Sequence, residues 1–289
     1  MSDKPTTSSG TFFAIPGWSV ISLHGADASR FAQAQFMGDV DALRSGHWQW
    51  NGWLTPKGRV IALFALLRLD AERLLLLLAD AAPEGFVSAL SRYVFRSKVR
   101  IAHEAGLSVR GRFGPPDRAS GAAFDGSTAA LDLQLDFGGD AEARTLAIGS
   151  DVAPEDAASA ARWHAFDLAH GLPRLRSDQA GQWTPQQLSL DRLRAYSVKK
   201  GCYPGQEIVA RTHFLGQAKR GLVRLAADAP LADAGDVCDG SAPERPAGTI
   251  IATAGNEALA VLPLDVDADA WLVDGTVCRR VPLLEGLAR

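Results

Sequence analysis

From Gly221 onward the chain leaves room for one kind of architecture. Short strand-like runs, Leu222 to Leu225, Gly235 to Val237, Gly248 to Thr253, Ala258 to Leu264 and Trp271 to Val273, follow one another with turn residues between them. No helical pattern interrupts them. This spacing predicts a small closed β domain, and the change of pattern places its boundary near Gly216.

Upstream the pattern is mixed, and the 289 residues exceed what one core comfortably serves, so two or three domains are expected. Residues 1 to 10 are polar and are expected to form a disordered tail. Trp18 to Leu23 alternates as a half-buried strand, and Asp27 is the expected N-cap of a helix carrying Phe31 and Gln35. Asn51-Gly52 and Pro56-Lys57-Gly58 both signal turns. Val60 to Leu69 and Leu74 to Leu78 read as strands joined by a polar turn at Asp70 to Arg73. A helix opening at Ala82-Pro83-Glu84 follows, with Phe86, Leu90 and Tyr93 at helical spacing, then a strand from Ser97 to Ile101. Residues 104 to 160 carry little signal beyond strands at Leu131 to Leu135 and Thr145 to Ile148. Ala157 to His170 is a helix that Gly171 and Pro173 end, with Trp163, Phe166 and His170 on one face. Thr184-Pro185 opens another through Leu188, and Ala195 to Val198 alternates as a strand.

Composition narrows the function classes. The chain is 47% apolar and 22% charged, as ordinary globular proteins are, and its formal net charge of −3 argues against broad nucleic-acid binding. Its three cysteines, Cys202, Cys238 and Cys278, give neither a disulfide framework nor a Cys-x-x-Cys pattern, which fits a reducing cytoplasm. The first ten residues lack the apolar region of a signal peptide, and no apolar run approaches the ~20 residues of a membrane span. The six histidines show no metal-binding spacing, and no metal is expected. P-loop, Gly-x-Gly-x-x-Gly and Gly-x-Ser-x-Gly motifs are absent.

One stretch concentrates chemistry: Lys199-Lys200-Gly201-Cys202-Tyr203-Pro204-Gly205-Gln206-Glu207, running on into Arg211. Pro204 and Gly205 suit the two central positions of a type II turn from Tyr203 to Gln206. A helix start is expected after it. A thiol there meets outward amides, a helix dipole and the cations Lys199, Lys200 and Arg211, all of which favour thiolate. The plain alternative is a surface turn with a cysteine as small filler.

Lys-Gly-Cys-Tyr-x-Gly-Gln-Glu, continuing into Arg211 and Gly216-Gln217-Ala218-Lys219-Arg220, resembles the signature of the YgfZ family, folate-binding relatives of the glycine-cleavage T protein (aminomethyltransferase). The likeness extends over most of residues 18 to 264, including Gly25-Ala26-Asp27-Ala28, Lys57-Gly58-Arg59-Val60 and Trp163 followed by Gly171-Leu172-Pro173. It implies an α+β fold: two intertwined α/β subdomains with ferredoxin-like elements (residues 11–215) around a central channel, plus a C-terminal β-barrel (residues 216–289). It implies tetrahydrofolate or another reduced folate as ligand, stacked on Trp18 and Trp163, although both tryptophans also read as core residues. It implies a functional thiol at Cys202 with Lys200 as charge partner. Gly201, Tyr203, Gly205, Gln206, Glu207 and Arg211 would shape that site.

The implied role is support of iron–sulfur cluster assembly or repair, and of iron–sulfur-dependent tRNA modification. Expected partners are folate and iron–sulfur client enzymes or assembly factors, with no direct nucleic acid and no membrane. The alternative is a tetrahydrofolate-dependent aminomethyltransferase, whose pattern resembles Lys-Gly-Asp-Phe-x-Gly-Arg-Glu. It also has an acidic element after its Gly-x-Pro, where this chain reads Leu175-Arg176-Ser177-Asp178-Gln179.

Overall fold

A computed structural model describes residues 10–289 apart from 80, 217, 234 and 267, so all but the last residue of the expected tail lies outside the described residues. The chain is α+β and ends in a closed six-stranded barrel. The first strand, β1 (Phe13–Ala14), belongs to a sheet completed only a hundred residues later. The chain leaves it at once for a second sheet: β2 (Trp18–His24), α1 (Ala28–Gln35), β3 (His47–Leu54), β4 (Val60–Arg68), β5 (Arg73–Ala79), α2 (Pro83–Ser91) and β6 (Arg100–His103). It then returns through β7 (Ser108–Phe113), β8 (Asp125–Ser127), β9 (Asp132–Asp136) and β10 (Arg144–Gly149), followed by α3 (Ala157–Ala169). This return is what intertwines the two units.

The second sheet has the order β3-β4-β5-β2-β6, with antiparallel neighbours throughout. Without the added edge strand β3, the order β6-β2-β5-β4 is that of a ferredoxin-like split β-α-β unit. One face buries Ile21, Leu23, Leu74 and Leu76 under Phe31, Phe86 and Leu90 of α1 and α2. The opposite face carries Val20, Trp50, Leu75 and Leu77 against Leu133, Leu135, Leu146 and Ile148 of the sheet β1-β7-β10-β9-β8. Covered on both sides, β5 is a continuous leucine run instead of an alternating one.

The barrel is formed by β11 (Arg220–Ala227), β12 (Asp236–Asp239), β13 (Ala242–Ala254), β14 (Glu257–Pro263), β15 (Trp271–Val273) and β16 (Thr276–Val281). It closes where β16 pairs with β11, Arg224 opposite Val281, and bulges in β13, against both β12 and β14, bend the sheet. The last residues leave the barrel for the double-sheet core, where the Trp50 indole N–H donates to Leu287 O at 2.8 Å.

Three local expectations are corrected. Asn51-Gly52 is not a turn but lies inside β3. Asn51 is buried and its side-chain oxygen accepts from the amides of Gly38 (2.7 Å) and Gly52 (2.8 Å). A Cβ on Gly52 would come within 2.6 Å of Met37, so this pair serves close packing. The helix expected from Thr184 does not extend. Thr184 and Gln187 do form a reciprocal cap, at 3.2 and 3.0 Å, but Ser189 takes φ 49°. Leu190 N then reaches back to Pro185 O, and Ser189 N to Gln186 O, which ends the turn as a Schellman motif. Arg194 (φ 56°) repeats the device with Ala195 N on Leu190 O. Finally, Ala195 to Val198 joins no sheet; Ser197 N donates to Met37 O instead.

Candidate functional site

The expected turn is present. Gln206 N donates to Tyr203 O at 3.1 Å, and Gly205, with φ 80° and ψ 1°, caps α4 (Gln206–Leu215). A second turn fixes its position. Gly58 (φ 68°) closes Thr55-Pro56-Lys57-Gly58 between β3 and β4, and its amide donates to Thr55 O. The two glycines meet back to back: a Cβ on Gly205 would fall 2.5 Å from Gly58 Cα and 2.7 Å from Thr55 O. A Cβ on Gly58 would fall 2.9 Å from Ile208 Cβ. The interlock of two turns 147 positions apart has no signature in either turn alone. Gly205→Ala is expected to lose about 1–3 kcal/mol of unfolding free energy, from a left-handed φ and an unrelieved backbone contact. Urea denaturation reads it, and an unchanged midpoint would show that the turns are not interlocked.

On this platform Cys202 is exposed, while Cys238 is half-buried and Cys278 buried. Burial pushes the Cys278 thiol up. Cys202 opens into a depression of about 410 Å³ with Lys57, Glu207 and Ile208 on its rim. Lys57 comes from the β3–β4 turn and Glu207 from the first turn of α4, so opposite charges flank the thiol. The loop below is held by its own polar groups. Ser197 Oγ accepts from the amides of Lys199 (3.2 Å) and Lys200 (3.3 Å), Tyr203 Oη donates to Ser197 O (3.0 Å), and Gln206 Nε2 donates to Lys200 O (3.1 Å). Gly201 is exposed. Arg211 is also exposed, farther along α4, and does not line the depression.

Lys200 requires a correction. Its side chain turns inward, 7% exposed, and all three ammonium protons go to backbone carbonyls: Gln33 (2.5 Å), Phe36 (2.6 Å) and Gly38 (3.1 Å). Burial lowers its pKa to about 8, opposed by Asp39 and Asp41. It ties the cysteine loop to the carboxyl end of α1 and has no proton left for the thiol.

Trp18 and Trp163 do not face each other across a gap. Trp18, at the start of β2, lines a narrow cavity of about 30 Å³ with Leu172, Pro173, Arg174 and Leu175. Its buried indole N–H has no partner among the described residues. Trp163 is fully buried, walled by Phe13, Phe113 and Phe137, and does not line that cavity. Phe137 separates the two indoles, edge-on to Trp18 at 5.8 Å and stacked on Trp163 at 6.2 Å.

Charge joins them instead. Arg174 lies 5.7 Å over the Trp18 ring and 3.5 Å from Asp167, which pairs with Arg144 at 2.8 Å. The Arg144 guanidinium in turn sits 4.0 Å over Trp163 and 3.6 Å over Phe166. The structure fits a flat heteroaromatic ligand at one wall only. Trp18 offers a ring face, an orphan donor and a neighbouring guanidinium, whereas the cavity, far below the ~300–1,000 Å³ of ligand pockets, must open to admit a pterin. Asp167 and Arg144 were missed at the sequence level. Their one signal was a carboxylate beside Trp163 and Phe166 on the buried side of α3.

Among the described residues no group of His, Cys, Asp or Glu is placed to hold a metal ion, and no helix is long and apolar enough to cross a membrane. Residues 219–281 match the family model described as CAF17, C-terminal beta-barrel domain. An uncharacterized protein of Haemophilus influenzae is 30% identical over 214 residues, covering 73% of this chain and 71% of that one. The tRNA-modifying protein YgfZ of Yersinia enterocolitica is 29% identical over 244 residues, covering 78% and 73%. In structure, the glycine cleavage system aminomethyltransferase T from Bartonella henselae superposes with a TM-score of 0.73 at 15% identity, over 96% of this chain and 86% of that one. At that identity the superposition shows the fold. Barrel, intertwined sheets, cysteine turn and relatives together place the chain in the YgfZ family, the relatives of the aminomethyltransferases.

Proposed function

We propose that this protein serves tRNA modification indirectly, as a folate-binding factor that supports the assembly or repair of iron–sulfur clusters in modifying enzymes. The observation that carries this reading is Cys202, an exposed thiol on two interlocked turns within the family's Lys-Gly-Cys-Tyr-x-Gly-Gln-Glu pattern. A thiol presented this way is reachable by a macromolecule, as a client enzyme or an assembly factor requires. Folate is assigned to the Trp18 cavity. There the pterin or aminobenzoyl ring stacks on the indole and its anionic end meets Arg174, once the Leu172–Leu175 wall gives way. Trp163 backs this site through Phe137 and Arg144 and does not touch the ligand.

The transferase reading keeps the fold in its favour. Against it stand Cys202 and Tyr203 at the positions of the transferase's Asp-Phe pair, and the lack of its acidic element after Pro173.

The test has two arms. In a strain lacking the protein, the wild type restores iron–sulfur-dependent tRNA modification and Cys202→Ser does not. In calorimetry, Trp18→Ala weakens binding of a reduced folate by about 1–3 kcal/mol, the scale of base–aromatic stacking. Full rescue by Cys202→Ser refutes the thiol's role, and unchanged folate affinity refutes the site. Folate-dependent ammonia release with the other glycine-cleavage components would put the transferase reading first.

A further inference from the structure

At the end of the inter-sheet interface opposite Trp18 lies a second cleft, of about 330 Å³. Strand register determines what it presents. His24, the last residue of β2, stands directly opposite Arg73 on β5 and Arg100 on β6, so three basic side chains form one row on one face. The next row on that face is Leu75, Ser22 and Ala102. Beyond it Glu104 takes the hydroxyl proton of Ser22 through Oε1 at 2.5 Å, and its other oxygen has no partner among the described residues. Leu69 and Leu131 close the cleft at the side.

Three features distinguish this from an ordinary surface groove. Arg73 is engaged, with Asp70 at 2.7 Å and with Thr128 O at 3.2 Å, which clamps the β8–β9 turn over the cleft. The side chains of His24 and Arg100 have no hydrogen-bond or ion-pair partner among the described residues, although they share its mouth. Leu131, in that same turn, is held at φ 52°, a region that a leucine rarely occupies. Backbone strain of this kind gathers where a ligand is clamped.

We propose that this cleft binds a small organic anion with an apolar body and a hydroxyl or N–H donor at its far end. The carboxylate or phosphate ester meets His24 and Arg100. The body lies on Leu75 and Leu131, and the donor reaches the free oxygen of Glu104. Two residues of strand separate the His24 row from Ser22, about 7 Å, which a chain of five methylenes spans. The site is independent of the Trp18 cavity and of Cys202.

The full-length chain, with methyl NMR signals of Leu75 and Leu131 as reporters, tests this with hexanoate, 6-hydroxyhexanoate and hexyl phosphate. Both leucines are expected to shift, with 6-hydroxyhexanoate binding more tightly than hexanoate. Arg100→Ala and His24→Ala each weaken it about tenfold, the size of one charge-assisted hydrogen bond. Both positions are exposed, so unshifted signals elsewhere certify the fold. Tighter binding of hexyl phosphate than of hexanoate identifies a phosphate ester as the head group, and the reverse a carboxylate. Absence of shifts at both leucines with all three probes overturns the proposal, as does binding that survives both substitutions. Equal affinity for hexanoate and 6-hydroxyhexanoate overturns the role given to Glu104.

Discussion

Asp167→Ala is expected to lower the unfolding free energy by about 3–5 kcal/mol, the cost of breaking a buried ion pair from one side. Both side chains of the Arg144–Asp167 pair are wholly inaccessible. Burial draws the Arg144 guanidinium down to about 10, and Asp167 is the largest influence holding it up. Without that carboxylate the cation keeps Phe137 O, Trp163 O, the faces of Trp163, Phe166 and Phe137, and the more distant charge of Glu142. Replacing both partners by apolar residues of similar size, Arg144→Met with Asp167→Leu, is expected to cost less than either single change, since neither member of the fully buried pair is then left charged without the other. Urea denaturation of the four proteins gives the coupling directly. Additive losses would mean that the pair does not act as a unit. Since Asp167 also holds Arg174 over Trp18, Asp167→Ala disturbs the proposed folate wall as well as the core.

The elements legible in the sequence were those specified by local chemistry. The first five barrel strands follow from turn spacing, although β16, which closes the barrel, was not read; the β4–β5 hairpin follows from its polar turn, and the end of α3 from Gly171 and Pro173. Asp156 Oδ1 caps two amides at 3.1 Å, and Gly171 ends the helix with φ 68°. The Tyr203–Gln206 turn was equally readable, because proline locks the φ that the second position needs and glycine supplies a positive φ that few other residues adopt.

Misreadings arose where a distant contact overrode a local signal. Asn51-Gly52 has turn chemistry, yet the asparagine side-chain oxygen accepts the amide proton of Gly38 from another segment. Thr184 caps a turn that stops at the left-handed Ser189, whose Oγ accepts the amide proton of distant Leu222 at 3.0 Å. Strand β7 was missed: it alternates Val109, Arg110, Gly111, Arg112, and its arginines are covered by Phe12 and paired with acids, so charge hid a buried strand. Trp163 carried the family's spacing, but a spacing does not say which side of a helix faces a cavity. That distinction needs Phe137, Arg144 and Asp167 in place.

Lys200→Met provides the sharpest test of how the cysteine loop is built. Methionine matches the apolar stem but removes three donors, leaving the carbonyls of Gln33, Phe36 and Gly38 short of a partner. At about 1 kcal/mol or slightly more for each, the loss comes to about 3–4 kcal/mol. Lys200→Arg should not restore it, because three acceptors around one point suit a compact ammonium and not a planar fork. The effect should also be local. Lys200 O receives Gln206 Nε2, and the Lys200 amide reaches Ser197 Oγ, so freeing this residue loosens both sides of the thiol. Hydrogen exchange is therefore expected to speed up from Ser197 to Gln206, and alkylation of Cys202 to keep its rate or rise as the loop opens. A charge partner of the thiol would behave differently: removing it would slow alkylation and leave stability unchanged. That pair of results would return Lys200 to the role the motif first implied and would leave the carbonyl cage without consequence. The cage instead makes Lys200 a fastener that holds the loop so that Cys202, two positions on, stays exposed.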